Sequence, residues 1–198
     1  MTTFFMVRHA EHSVQGARLV GRMPGIGLSV LGSRQAEALG QSFSGRPIQA
    51  VHSGPLDRAV TTAQAIGAQT GCEPVVTEAL DEVDFGVWTG RTFAELEPEA
   101  CWRMWNSFRS GSRPPGGEAM LDVQQRAVGL LERLRREHGG GHIVLVSHAD
   151  VIRAVLVHYL GMPLDLMLRL EVAPGSVSTL LVTDWDAKLI GLNAAKPG

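Results

Sequence analysis

Cysteine is nearly absent from this chain of 198 residues, which contains only Cys72 and Cys101. Two cysteines argue against a disulfide-rich secreted scaffold, and their wide spacing provides no thiolate cluster for a zinc site. A single disulfide is an alternative, but two free thiols in a reducing cytoplasm are the favoured interpretation.

Long apolar runs and an excess of either charge are also missing. No stretch approaches the roughly 20 apolar residues that cross a membrane, and Met1-Thr2-Thr3 provides no basic region for a signal peptide. The formal net charge of −2 gives no support to a nucleic-acid partner. We therefore predict a cytoplasmic protein with neither nucleic-acid nor membrane partners.

Linkers, repeats and low-complexity segments are absent as well, and 198 residues suit one α/β domain. Apolar segments predict strands at about 3–7, 48–51, 74–77, 142–146, 177–183 and 188–192, the last two as a hairpin. One-sided apolar patterns predict helices at about 30–44, 55–70, 118–138 and 149–160. This alternation predicts a three-layer α/β/α fold with a mostly parallel sheet.

Polar residues follow three of the predicted strands at once. Arg8 and His9 follow the first strand, Ser53 follows the second just before a helix that carries Arg58, and His148 follows the fourth. The carboxyl ends of parallel strands meet at one edge of the sheet, where such folds bind their ligands. Guanidinium groups, imidazoles and helix N-termini gathered there predict a site for a dianion, most simply phosphate.

Six stretches, in this order, resemble the histidine phosphatase superfamily. They are residues 7–11, 28–36, 53–59, 80–88, 115–118 and 146–149. An ordered set of motifs is far more specific than a lone Arg-His pair. The resemblance implies a phosphoglycerate mutase-like fold formed by a single domain over residues 1–198.

The resemblance also implies roles for four of the residues expected at this edge of the sheet. His9 would attack phosphorus through a neutral ring nitrogen and form a phosphohistidine, while its other nitrogen donates to a backbone carbonyl. Arg8, Arg58 and His148 would stabilise the charge on the phosphoryl oxygens. We expect no metal and no cofactor, because His9 and His12 lack a third ligand at a suitable spacing.

Glu82 is the implied general acid and base, since it matches the glutamate of a Leu-x-Glu-x-x-x-Gly pattern in the family. Without that pattern, Asp81 and Asp84 would be equal candidates, and we predict that both are solvated or capping groups. Further substrate contacts are expected at four positions: Gln15, Gly21, Ser53 and Ala149.

Several positions depart from the family pattern. Ala10 and Ala149 stand where glycine is usual, and Gln15 replaces the common asparagine while keeping an amide N–H for phosphate. His12 occupies a position that is usually Thr or Ser, where it could change the pH dependence or the fit of the substrate. For Ser53 a hydrogen-bonding or turn role is favoured over that of a nucleophile, because a Gly-x-Ser-x-Gly motif is missing around it.

Residues from about 85 to 117 interrupt the alternation of strands and helices, and are predicted to form a lid-like insertion. The segment is rich in aromatic residues, among them Trp102 and Trp105. They could form a substrate wall, but their spacing of three residues favours packing of a helix onto the core.

The predicted function is hydrolysis of a small-molecule phosphate ester by a metal-independent phosphatase. A phosphoglycerate mutase-type phosphotransferase is the first alternative, although the family's mutases have more sequence between the positions of Glu82 and His148. A non-catalytic phospholigand-binding protein is the second alternative. The edge of the terminal hairpin could also pair two copies as a homodimer.

Overall fold

A six-stranded sheet forms the centre of the computed structural model, which describes residues 1–14, 16 and 18–195. Its strands are β1 (Thr2–Arg8), β2 (Ile48–Ser53), β3 (Val75–Val76), β4 (His142–Ser147), β5 (Val177–Val182) and β6 (Ala187–Ala194). Their order is β3-β2-β4-β1-β5-β6. The pairings from β3 to β1 are parallel, whereas β5 is antiparallel to both of its neighbours. The prediction of a mostly parallel sheet is confirmed.

Helices cover both faces of this sheet. They are α1 (Val30–Ser42), α2 (Asp57–Thr70), α3 (Phe93–Leu96), α4 (Ala100–Ser107), α5 (Met120–His138) and α6 (Ala149–Tyr159). Alternate side chains of β1 point to opposite faces, as strand geometry requires. Phe4 and Met6 therefore pack with α5 and α6, while Phe5 and Val7 pack with α1 and α2. The three-layer α/β/α architecture is confirmed.

Two helices begin later than their apolar patterns suggested. The first residue of α2 is Asp57 and that of α5 is Met120, each about two residues inside the predicted limit. For α5 the reason is visible, because the N–H of Glu118 donates to the carbonyl of Asp84 at 2.8 Å and is thereby held outside the helix.

The aromatic residues of segment 85–117 belong mainly to the core. Trp88 and Trp105 are fully buried, and the ring of Trp102 packs edge-on against Trp88 with 5.3 Å between the centroids. The favoured packing interpretation is confirmed. Trp102 nevertheless also lines a cavity at the edge of the sheet.

Gly86 holds the start of this segment in a conformation that a side chain would oppose. Its φ is +53°, and a Cβ at this position would lie 2.2 Å from the carbonyl oxygen of Pro115. Gly116 has a similar φ of +72°, but the nearest atom to a Cβ there is a methyl group of Val87 at 4.0 Å. An added Cβ would therefore meet an unfavourable φ at both glycines, but would collide with the backbone only at Gly86.

We expect Gly116→Ala to lower the free energy of unfolding by about 1–2 kcal/mol, the cost of a left-handed alanine. Gly86→Ala should cost about 3 kcal/mol or more, because the collision adds to the same strain. Chemical denaturation of both variants measures the difference. Equal losses of unfolding free energy in the two variants would show that the backbone around Gly86 shifts to relieve the collision at little cost.

Candidate active site

A cavity of about 330 Å³ opens where β1 and β4 end. Its lining contains most of the residues that the sequence singled out: Arg8, His9, Gly21, Arg58, Glu82 and Ala149. His148 lies against this group, with its ring centroid 4.9 Å from that of His9. The strand-end positions therefore bring the predicted residues together at one sheet edge, as parallel topology requires.

His9 is buried at the base of the cavity and is held in one orientation. Its Nδ1–H donates to the carbonyl of Ala10 at 2.8 Å, which confirms the predicted backbone acceptor. Burial, and then the positive charge of Arg58, lowers the pKa of His9 well below its usual value. The imidazole is therefore neutral, and its Nε2 keeps a lone pair.

Buried N–H groups surround His9 without being used by the protein. Four nitrogens have no hydrogen-bond partner within the described residues: Nε of Arg8, Nε and Nη1 of Arg58, and Nε2 of His148. Buried donors are normally satisfied, so an unsatisfied cluster needs an explanation. An oxyanion of a ligand would satisfy these donors.

Contacts within the protein fix the orientation of two of these groups. Nη2 of Arg58 donates to the carbonyl of Gly21 at 2.7 Å and lies 3.5 Å from Nδ1 of His148. Because a guanidinium can only donate, Nδ1 accepts and the proton of His148 resides on Nε2. Burial, and then the neighbouring His9, lowers the pKa of His148 well below its usual value, so this ring is also neutral.

The Glu82 carboxyl lies beside His148, with 3.6 Å between Oε2 of Glu82 and Nδ1 of His148. Its Oε1 accepts from the N–H of Val83 at 2.9 Å. Burial, and then the negative charge of Asp150, raises the pKa of Glu82 to about 7. Near neutral pH this carboxyl can therefore both give and take a proton.

Two arginines hold the backbone carbonyl of Glu82 in place. This carbonyl accepts from Nε of Arg22 at 2.7 Å and from Nη2 of Arg126 at 3.2 Å. Both guanidiniums also contact the carboxylate of Glu118, which ends the family-like stretch 115–118. Glu118 therefore positions the loop that carries Glu82.

The two aspartates that flank Glu82 have different roles. Asp84 accepts from the N–H of Gly86 at 2.8 Å and caps a turn, as predicted. Asp81 is buried, lies 3.1 Å from Nε of Arg22 and accepts from the N–H of Glu82. The solvated alternative is wrong for Asp81, which is buried, whereas the capping alternative is confirmed, because its carboxylate accepts from a backbone N–H.

The four predicted substrate contacts have three outcomes. Gly21 and Ala149 line the cavity. Ser53 is fully buried and donates its hydroxyl to the carbonyl of Gly54 at 2.7 Å, so the structure does not bring it to the cavity. The expected substrate contact at Ser53 is therefore not found, whereas the hydrogen-bonding or turn role that the sequence also favoured is confirmed. Gln15 lies outside the described residues.

Residues that the sequence did not indicate complete the outer part of the cavity. Asp150 and Arg153 lie at the start of α6, and their side chains pair at 3.0 Å. Arg109 reaches the same aspartate from the loop after α4 at 2.8 Å. The i, i+3 spacing of Asp150 and Arg153 was the only available signal. Phe93 and Trp102 add an aromatic side to the lining.

His12 also lines the cavity, with its ring centroid 5.7 Å from that of His9. Its Nδ1 accepts from the N–H of Val14 at 3.3 Å, so the neutral ring carries its proton on Nε2. Burial, and then the charge of Arg58, lowers the pKa of His12 to about 4. A change in pH dependence, one of the two effects considered for His12, is therefore not expected near neutrality.

We expect His12→Ser to leave the shape of the profile of kcat/KM against pH unchanged from about pH 5 to pH 9, since His12 is neutral throughout. Its absolute activity can fall through a lost contact, but no limb of the profile should move. Steady-state assays across this range check the expectation. A limb that disappears in the variant would mean that His12 titrates within the range.

No group of three or more His, Cys, Asp or Glu side chains among the described residues is placed to hold a metal ion. Likewise, no helix in the described part of the chain is long and apolar enough to cross a membrane.

Comparisons with known proteins agree on one family. The sequence profile of the histidine phosphatase superfamily (branch 1) matches residues 4–195. Phosphoserine phosphatase 1 of Hydrogenobacter thermophilus is 32% identical over 171 residues, which cover 83% of this chain and 79% of that protein. The probable phosphoglycerate mutase GpmB of Salmonella choleraesuis is 29% identical over 183 residues, 91% of this chain and 85% of that protein.

A solved structure extends the agreement to the fold. The native structure of a mycobacterial glucosyl-3-phosphoglycerate phosphatase superposes with a TM-score of 0.88 at 28% identity, over 97% of this chain and 98% of that chain. Sequence and fold thus match over nearly the whole length. The chain therefore belongs to the histidine phosphatase superfamily.

Proposed function

We propose that this protein hydrolyses phosphate monoesters of small molecules through a phosphohistidine on His9, without a metal ion. The observation that carries the proposal is the set of unpartnered buried N–H groups of Arg8, Arg58 and His148 around a neutral His9. Such a site is prepared for the equatorial oxygens of a phosphoryl group, which need charge stabilisation above all.

In the first step, the lone pair on Nε2 of His9 attacks phosphorus and forms an N–P bond. The bond from phosphorus to the ester oxygen breaks, and its electron pair goes to the oxygen. Protonated Glu82 gives its proton to this oxygen, so that a neutral alcohol leaves. The pKa of about 7 keeps a large share of Glu82 protonated at neutral pH.

In the second step, water attacks the phosphorus of phosphohistidine. Glu82, now a carboxylate, takes a proton from this water, and the N–P bond breaks with its electron pair returning to His9. Inorganic phosphate leaves, and both residues regain their starting protonation. The neutral Nε2–H of His148 can stabilise the phosphoryl oxygens in both steps without adding a titration near pH 7.

Transfer of the phosphoryl group to a second alcohol, as in a mutase, is the first alternative and has support from the GpmB relative. Hydrolysis is favoured because the segment between Glu82 and His148 is short, and because the phosphoserine phosphatase relative is more similar to this chain.

We also propose that residues 1–198 form one domain, in which segment 85–117 covers the cavity through Phe93 and Trp102.

The discriminating experiment incubates the protein with EDTA and a panel of phosphate monoesters that begins with p-nitrophenyl phosphate. We expect release of inorganic phosphate that does not depend on added 2,3-bisphosphoglycerate. Activity that requires this bisphosphate, with no free phosphate, would establish the mutase alternative. Binding without turnover would establish the non-catalytic one.

A further inference from the structure

The cavity carries more positive charge than one phosphate needs. Five arginines line it: Arg8, Arg18, Arg58, Arg109 and Arg153. Glu82 and Asp150 are its acidic lining residues, so the formal sum is +3 when both are ionised (five minus two). A phosphate monoester dianion leaves an excess of about one positive charge, and of two when Glu82 is protonated. A substrate with a second negative group would complement this excess.

Arg153 is a lining arginine at the start of α6, next to Ala149 and Asp150. Its side chain is 15% exposed, so most of it is shielded from water. Nε donates to the carbonyl of Leu170 at 2.9 Å, and Nη1 donates to Oδ1 of Asp150 at 3.0 Å. These two bonds fix the guanidinium plane. Nη2 has no hydrogen-bond partner among residues 1–14, 16 and 18–195, and Arg153 lines the cavity.

Asp150 supports Arg153 and is not free to bind a cationic group. Its second oxygen, Oδ2, accepts from Nη1 of Arg109 at 2.8 Å. Burial opposes ionisation of Asp150, but the charges of Arg109 and Arg153 outweigh it and lower the pKa of this carboxyl. Both oxygens of an ionised Asp150 are therefore engaged by arginines, and the cavity wall offers a donor here.

Arg109 is itself held rigidly. Its Nη2 donates to Oδ1 of Asn106 at 2.9 Å, and its guanidinium lies over the ring of Trp105 at 4.5 Å from the centroid. The chain of contacts from Trp105 through Arg109 and Asp150 to Arg153 preorganises the outer wall of the cavity. A preorganised donor loses little entropy when a ligand binds.

We propose that the substrate is a phosphate monoester whose alcohol part carries a carboxylate, and that Nη2 of Arg153 binds this carboxylate. The inference rests on the proposed function and deepens it. One free guanidinium nitrogen matches one carboxylate oxygen, whereas a second phosphate group would need more donors. A cavity of about 330 Å³ is at the small end for ligand sites, which suits a metabolite of few atoms beyond the phosphate.

The test uses pairs of esters that differ chiefly in the carboxylate. O-phosphoserine is compared with O-phosphoethanolamine, and 3-phosphoglycerate with glycerol 3-phosphate. For at least one pair, we expect kcat/KM of the wild type to be roughly 10- to 100-fold higher for the carboxylated member, the effect of a charge-assisted hydrogen bond. In Arg153→Gln this ratio should fall close to one, whatever happens to the phosphate step that both members share.

Arg113→Gln is the matched control, because Arg113 is exposed, pairs with Asp122 and lies outside the cavity lining. It should keep the wild-type ratio. Ratios near one in the wild type for both pairs, or a ratio that survives Arg153→Gln, would overturn the inference. The proposed hydrolysis would still stand if phosphate is released from all four esters.

Binding measurements keep the two proposals separate if turnover fails. Isothermal titration calorimetry of the His9→Ala variant measures the affinity for each ester without chemistry. Tighter binding of the carboxylated member, lost when Arg153→Gln is added, would support the carboxylate site even in a protein that hydrolyses nothing. Equal affinities within both pairs would overturn it.

Discussion

His9→Ala is expected to lower kcat for phosphate release by at least about 10³-fold, since it removes the nucleophile and with it the two-step route. The variant should still bind phosphate esters, because the free donors of Arg8, Arg58 and His148 remain. Release of inorganic phosphate from several esters, together with calorimetric binding, measures both effects.

His158→Ala is the matched control for this substitution. His158 is exposed near the end of α6, and its ring packs against Tyr159 outside the cavity. We expect this variant to retain full activity and a normal folding transition. Activity that persists in His9→Ala would mean that water or another side chain attacks phosphorus directly.

Glu82→Gln is expected to lower kcat by about 10²–10⁴-fold for alkyl phosphates, the usual contribution of a general acid and base. The loss in the first step should be much smaller for p-nitrophenyl phosphate, because p-nitrophenolate leaves readily without a proton. A single-turnover assay with both kinds of ester therefore tests the role of the residue, and not only its importance. Glu37→Gln, on the exposed side of α1, is the control.

The same residue sets the pH dependence of the wild type. Glu82 must be protonated in the first step, and its pKa is about 7, so kcat/KM for an alkyl phosphate should fall as pH rises through that value. This limb should vanish in Glu82→Gln, whose amide does not titrate. Neither His9 nor His148 should produce an acidic limb near pH 6.5, because burial lowers both pKa values. If kcat/KM of Glu82→Gln still fell as pH rises through about 7, the titration would belong to another group.

The inner half of the site could be predicted because it depends on topology. A buried parallel strand followed by Arg8 and His9, and another followed by His148, lead to one sheet edge in any such fold. Glu82 was different, since three acidic residues stood close together and only the family pattern distinguished them. Its raised pKa follows from burial and from Asp150, which is distant in sequence.

The outer half could not be predicted, because its contacts join remote parts of the chain. Arg109 and Asp150 are 41 residues apart, and no local pattern indicates that they pair. Ser53 illustrates the opposite error: its strand-end position suggested a ligand contact, yet its hydroxyl turns back to the carbonyl of Gly54. Trp102 shows that core packing and cavity lining are compatible in one side chain.

The most direct test of the proposed mechanism is to trap the phosphoenzyme. The wild type is mixed with a phosphate ester, quenched in alkali, in which phosphohistidine survives, and digested for mass spectrometry. We expect one added phosphoryl group, located on His9, lost on brief acid treatment and absent from His9→Ala. Steady phosphate release with no labelled His9 at any time after mixing, or a label on another residue, would contradict the mechanism.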